Sequence, residues 1–161
     1  MSTKTAPSPG MKRTRTPFTA KLRPELQPEV VQDTKGRGKL LLPTPMLVAE
    51  EICAVPAGSL TTAAAIRESL ARKHGADLTC PLMTGIFFNL IAGAAEEQLA
   101  DDKPPVAPYW RVVRDDGTLS PKTPDGQERH AEHLRAEGLT VQPRGSKLQV
   151  TDFQQRLVQP T

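Results

Sequence analysis

The 161-residue sequence holds two cysteines, Cys53 and Cys80. Two thiols make neither a disulfide scaffold nor a four-cysteine zinc site. Reduced thiols and a cytoplasmic location are expected, with no metal and no cofactor. Aromatic residues are scarce, and Tyr109 and Trp110 are the only Tyr and Trp. No apolar run approaches the roughly 20 residues that span a bilayer, so no membrane partner is expected. The first ten residues, MSTKTAPSPG, lack the apolar stretch of a secretory signal. Hydrophobic residues nevertheless make up 37% of the chain, enough for a core, which excludes wholesale disorder.

Proline and positive charge are plentiful. The 16 prolines belong to loops, tails and helix starts. Residues 1–39 carry nine Lys or Arg against three acids, a balance of +6, whereas residues 40–161 hold 12 basic and 15 acidic residues. The sequence pI near 9.0 therefore describes the N-terminal segment and hides a mildly acidic body. Two readings of that segment stand: a basic arm that gains affinity for nucleic acid by counterion release, or a solvated tail. With five prolines and no helical period in 1–39, a disordered tail is expected, followed by a folded domain over 40–161.

From Leu40 the pattern is periodic. Thr44-Pro45 reads as an N-cap with proline in the first helical position, and an apolar face continues to Val55. After the Pro56-Ala57-Gly58 turn, Thr61 or Thr62 caps a second helix that ends at His74-Gly75. A third helix starts at Thr79-Cys80-Pro81. Leu82, Ile86, Leu90 and Ala94 recur at four-residue spacing beside Met83, Phe87 and Ile91, so it is expected to pack deeply and to fray from Glu96. Tyr109 to Val113 reads as a strand, Asp115-Asp116-Gly117 as a tight turn, and Leu119 as the start of a return strand. A fourth helix is expected over Gln127–Glu137. Leu139–Val141 and Lys147–Val150 flank a basic hairpin tip. The fold class is α+β, mainly helical: a winged helix-turn-helix-like domain with small hairpins and a disordered N-terminal tail.

Four stretches, in order, resemble one family. Val55-Pro56-Ala57-Gly58-Ser59-Leu60-Thr61-Thr62 is similar to the IP-x-G-x-V-x-T segment of O6-alkylguanine-DNA alkyltransferases. Pro108-Tyr109-Trp110-Arg111-Val112-Val113 resembles their P-C-H-R-V-V. Asp116-Gly117-Thr118-Leu119 resembles the following x-G-x-L, and Leu134-Arg135-Ala136-Glu137-Gly138 resembles L-L-x-x-E-G. The resemblance implies a pocket for an extruded nucleotide. In the family a cysteine thiolate, activated by an adjacent histidine and a glutamate, takes the alkyl group. Here Tyr109 stands at the cysteine position and Trp110 at the histidine position; Glu137 alone is kept. A phenol of pKa near 10 is a poor nucleophile without a base, and indole offers only an N–H donor. The chain thus resembles the alkyltransferase-like branch, which binds alkylated guanine without transfer and hands it to excision repair. It also has Ala63 for the family's tyrosine and Leu82 for its arginine finger, and Asn89 lies two positions before the hinge asparagine.

The base-binding residues expected are Tyr109, Trp110, Leu82, Met83 and Arg111. Alternation along a strand sends Tyr109 to the pocket and Trp110 into packing, while Arg111 serves mainly to tie backbone. Phosphate contacts are expected from Arg144 and Lys147 at the hairpin tip and from Lys12, Arg13 and Arg15 in the tail. Cys80, at a helix N-terminus, is the one candidate for a displaced nucleophile and otherwise a packing residue; Cys53 reads as core. His130, His133 and Glu137 share a helix face, read as solvated rather than as metal ligands. Expected is a non-enzymatic, monomeric protein that binds double-stranded DNA with low specificity and senses a modified base alongside other repair proteins. The rivals are a protein-interaction module that kept the fold, and an enzyme using Cys80.

Overall fold

The computed structural model describes residues 16–160, so the expected tail contacts of Lys12, Arg13 and Arg15 lie outside the described residues. Four helices and several short strands form a mixed α+β domain, the class expected. The strands are β1 (Glu29–Gln32), β2 (Lys39–Leu42), β3 (Thr61–Thr62), β4 (Leu78–Thr79), β5 (Val112–Val113), β6 (Val141–Arg144) and β7 (Lys147–Val150). The helices are α1 (Pro45–Cys53), α2 (Ala63–Lys73), α3 (Pro81–Ala100) and α4 (Gly126–Ala136). β2 lies between antiparallel β1 and parallel β4. β3 pairs in parallel with β5, and β6 with β7 as an antiparallel hairpin.

Local chemistry sets the helix starts. Thr44 Oγ1 accepts from Leu47 N at 3.2 Å, with Pro45 in the first turn. Thr62, rather than Thr61, caps α2 by accepting from Ala65 N at 3.1 Å. α2 ends at His74, where Gly75 takes the left-handed φ of 68° that only glycine adopts without cost. Leu41, Ile52, Leu60, Ile66, Leu70, Ile91 and Leu134 are all at most 1% exposed and form the centre of the core.

Four expectations are corrected. The N-terminal segment is ordered structure from residue 16. Phe18–Lys21 forms a 3₁₀ turn on α3, and Glu29–Gln32 forms a strand. Glu97 accepts from Phe18 N and Thr19 N at 2.8 and 2.9 Å. The Phe18 ring lies where a Cβ on Gly93 would come within 2.4 Å of it, so this contact requires glycine there. α3 does not fray at Glu96 but runs to Ala100, because Glu96 is buried and paired. Its first half is not deeply packed: Leu82 is 72% and Ile86 55% exposed, and apart from Thr84 burial begins at Ile91. Finally, Leu119 does not return against β5. Its N–H donates to Leu148 O at 2.8 Å, and Thr118 bridges Gln149, so the turn joins the C-terminal hairpin.

Candidate nucleic-acid interface

Three of the four stretches that carry the resemblance converge on one carboxylate. Glu137 closes α4, and its oxygens accept from Trp110 Nε1 at 2.8 Å, from Arg111 Nε and Nη2 at 3.1 and 2.7 Å, and from Gly58 N at 3.0 Å. Arg111 Nη1 also donates to Val55 O at 2.7 Å. Burial pushes the Glu137 carboxyl up, but the bonds from Arg111, Trp110 and Gly58 outweigh it and hold it below its ordinary range. Trp110 therefore serves as a donor to Glu137 without any capacity to take a proton. Arg111, expected to tie backbone, does so, and its guanidinium faces Glu137 rather than a base.

Tyr109 is corrected more sharply. Tyr109–Arg111 is a 3₁₀ turn, not a strand, because Tyr109 N turns back to Ala107 O and Arg111 N to Pro108 O. The alternation that sent only Tyr109 to a pocket does not apply. Both side chains go inward, Tyr109 at 1% and Trp110 at 8% exposure. The Tyr109 hydroxyl donates to Glu96 Oε2 at 2.5 Å. Burial and then the Glu96 carboxylate push the phenol well above its ordinary pKa, so it stays a neutral donor. Glu96 also accepts from Arg129 Nε at 2.9 Å and pairs with His133 Nε2 at 2.7 Å. Burial raises its pKa, yet these bonds bring it below the ordinary value. Around Tyr109 stand the rings of Phe88, Trp110, His130 and His133, edge-on at 5.3–6.3 Å between centroids. Trp110 stacks on His133 at 4.0 Å.

The His130–His133 face is accordingly not solvated. His130 is 1% exposed, with Nε2 at 2.8 Å from Trp110 O and Nδ1 without a partner. Burial pulls its pKa from 6.5 down to about 4. The unfolded chain then binds a proton between those values that the folded chain does not, so stability falls as pH drops through that window. The shift corresponds to a loss on the order of 3 kcal/mol. The thermal midpoint will fall from pH 6.5 to 4.5, and His130→Gln will flatten that slope; an unchanged slope in the variant would assign the acid sensitivity elsewhere.

The open surface lies beside this cluster. A groove of about 380 Å³ runs between α2, α3 and β5, lined by Ala63, Ala64, Arg67, Thr84, Gly85, Phe88, Val112, Val113, Arg114, Asp115 and Ser120. Phe88 forms its inner wall and meets Tyr109 from behind, so Tyr109 braces the groove without lining it. Leu82 stands exposed one turn before the groove-lining Gly85, with Ile86 beside it, and Met83 is half-buried. Neither cysteine is among the lining residues. Cys80 precedes α3 as its N-cap without a side-chain cap bond. Cys53, expected in the core, is exposed, and its thiol, pushed up in pKa by burial of part of the side chain, donates to Val106 O at 3.4 Å. Arg144 and Lys147 face each other across the last pair of the β6–β7 hairpin, near enough for their charges to help lower the Asp116 pKa, which the Thr118 bonds lower most.

Sequence reading missed Arg67, Phe88 and Arg114. Arg114 directly follows Val112-Val113, which was a usable signal. Phe88 lies one turn after Gly85 and falls outside the residues read as the apolar period of α3.

No protein-family model matches the sequence, and no curated protein is significantly similar to it. Two solved structures share its architecture. One is S. pombe Atl1 in complex with damaged DNA containing O6-carboxymethylguanine, and the other is S. pombe ATL in complex with DNA. Each is 20% identical, with a TM-score of 0.52, over 72% of this chain and 94% of the other. The fold is that of Atl1. At this identity the likeness establishes the fold and no more. Of the four stretches, the second supplies Val112 and Val113 to the lining of the groove between α2, α3 and β5.

Proposed function

We propose that this chain is a non-enzymatic, DNA-binding repair protein of alkyltransferase-like type, which holds an extruded base in the groove between α2, α3 and β5. The observation that carries the reading is that groove, walled by Phe88 and fronted by exposed Leu82 and Ile86. Apolar side chains on a helix that enters the minor groove wedge base steps apart, and an aromatic wall receives the extruded base by stacking. Both structural neighbours were solved on DNA, which is consistent with it. Three features of the residues support a reading without alkyl transfer. Tyr109 is locked on Glu96 as a neutral phenol, Trp110 has no basic nitrogen, and no thiol lines the groove. Arg144 and Lys147 on the hairpin, and Lys12, Arg13 and Arg15 in the N-terminal segment, supply sequence-independent phosphate contacts in this reading.

The test is binding to duplex DNA with and without O6-methylguanine across a salt series. The lesion duplex will bind more tightly, and Phe88→Ala will remove about 1–3 kcal/mol of that preference, the worth of base–aromatic stacking. Labelled alkyl groups will remain on DNA. Stoichiometric transfer to protein, abolished by Cys80→Ser, would overturn the non-enzymatic reading.

One observation favours a second reading. From Pro81 to Ala95, α3 carries no charged side chain, and its exposed turn is apolar. A protein-interaction module that kept the fold would have such a face. Affinity for DNA that ignores the lesion and disappears at moderate salt would move the conclusion there.

A further inference from the structure

Two arginines line the groove, half-buried Arg67 on α2 and exposed Arg114 after β5. Neither guanidinium has an ion pair or a hydrogen bond among the described residues; Arg67 is held only through its carbonyl, which accepts from Thr79 Oγ1 at 2.8 Å. Their neighbours differ: Arg111 is consumed by Glu137, and Arg129 by Glu96 and Glu132. Asp115 is the single acid of the lining, so the groove carries a net positive charge. The rest of the lining is small or apolar, with Ala63, Ala64 and Gly85 leaving space below the two arginines. α2 begins at Ala63, so the positive end of its dipole opens on the same space.

We propose that the groove recognises its nucleotide through an anionic oxygen group gripped by Arg67 and Arg114, while the base lies against Phe88. The proposal rests on the reading of the groove as a base-binding site and adds the chemistry that site selects. A guanidinium is charged at all accessible pH and presents N–H groups in a planar fork that matches a carboxylate or a phosphate. Beside apolar walls such a contact is screened less than one on open surface. A neutral methyl adduct uses only the apolar wall and leaves both forks unmet. An anionic group meets them, and it has two possible sources: a carboxylate carried by the adduct, or the phosphate of the extruded nucleotide itself.

The experiment compares the full chain with Arg67→Gln/Arg114→Gln by fluorescence polarisation at one fixed salt concentration. The duplexes carry guanine, a methyl adduct, or a carboxylate-tailed adduct at the same oxygen. A fourth carries the methyl adduct with methylphosphonates in place of its two flanking phosphates. If the adduct is the source, the wild type will prefer the carboxylate-tailed duplex over the methyl one by about tenfold or more, as charge-assisted bonds allow. The double variant will lose that preference and keep its binding to the methyl lesion. If the backbone is the source, methylphosphonate substitution will weaken the wild type and leave the variant unchanged. Lesion binding that is equal in wild type and variant on every duplex would overturn the proposal alone. A wild type that binds lesion and unmodified duplex alike would overturn the base-binding reading, and the proposal with it.

Discussion

Tyr109→Ala will destabilise the domain by about 3–5 kcal/mol, the usual cost of truncating a large buried aromatic. The side chain is 1% exposed and is ringed by Phe88, Trp110, His130 and His133. Its removal opens a cavity behind the groove wall, and it also strips one donor from the Glu96 carboxylate. Tyr109→Phe separates the two losses. It keeps the ring and forfeits only a hydrogen bond to a charged acceptor, worth about 1.5–3 kcal/mol. Urea denaturation of both variants measures the pair. A Tyr109→Ala variant with the wild-type midpoint would mean that the ring is not a core element, and would restore it as a candidate for direct contact with a ligand.

Glu137→Ala will cost a similar amount, about 3–5 kcal/mol, because it leaves the partly buried Arg111 guanidinium without its counter-charge. The loss reaches further than one pair. Trp110 Nε1 and Gly58 N lose their acceptor together, so three segments distant in sequence are released at once. Glu137→Gln retains an acceptor oxygen and will fall between wild type and alanine. The pKa of Glu137 is lowered in the folded state, so its contribution is present above the ordinary carboxylate range and fades as pH falls through it. The gap between wild type and Glu137→Gln in denaturation midpoint will therefore narrow toward low pH; a gap independent of pH would argue that shape, not charge, decides.

Much of this fold was legible because its signals are local. Thr44-Pro45, Thr62 and Gly75 carry their own reasons for starting or ending a helix, and α1 and α2 lie where these residues put them. The hairpin Val141–Val150 was equally plain. The first half of α3 was misjudged because an apolar period says which residues share a face and not whether anything covers it; Leu82 and Ile86 share such a face with no cover among the described residues. Residues 18–21 were missed for the opposite reason. A single Phe18 against Gly93 and one Glu97 carboxylate order them, and no periodicity marks an isolated anchor. At the site, the motif that carries the resemblance implied an outward-facing Tyr109, and the fold buries it. Whether Tyr109 faces outward depends on a 3₁₀ turn after Pro108 and on Glu96, thirteen positions earlier. That partner comes from the length of α3, which the polar residues at its end concealed.

Leu60, which leads into β3 and α2, is clasped by residues 156–158. Its N–H donates to Arg156 O and its carbonyl accepts from Val158 N, both at 2.8 Å. Arg156 Nη1 also reaches Gly58 O, across 98 positions. On the ribosome these partners do not yet exist when Leu60 emerges. At about 5–20 residues per second, roughly 5–20 s pass before Arg156 is made. For that interval the nascent segment that begins the groove presents an unpaired backbone edge and the apolar Leu60 side chain, a target for chaperones. Formation of the groove is thereby tied to synthesis of residues 156–158. Native contacts of such long sequence separation also make refolding of the finished chain slow relative to a helical protein of the same size.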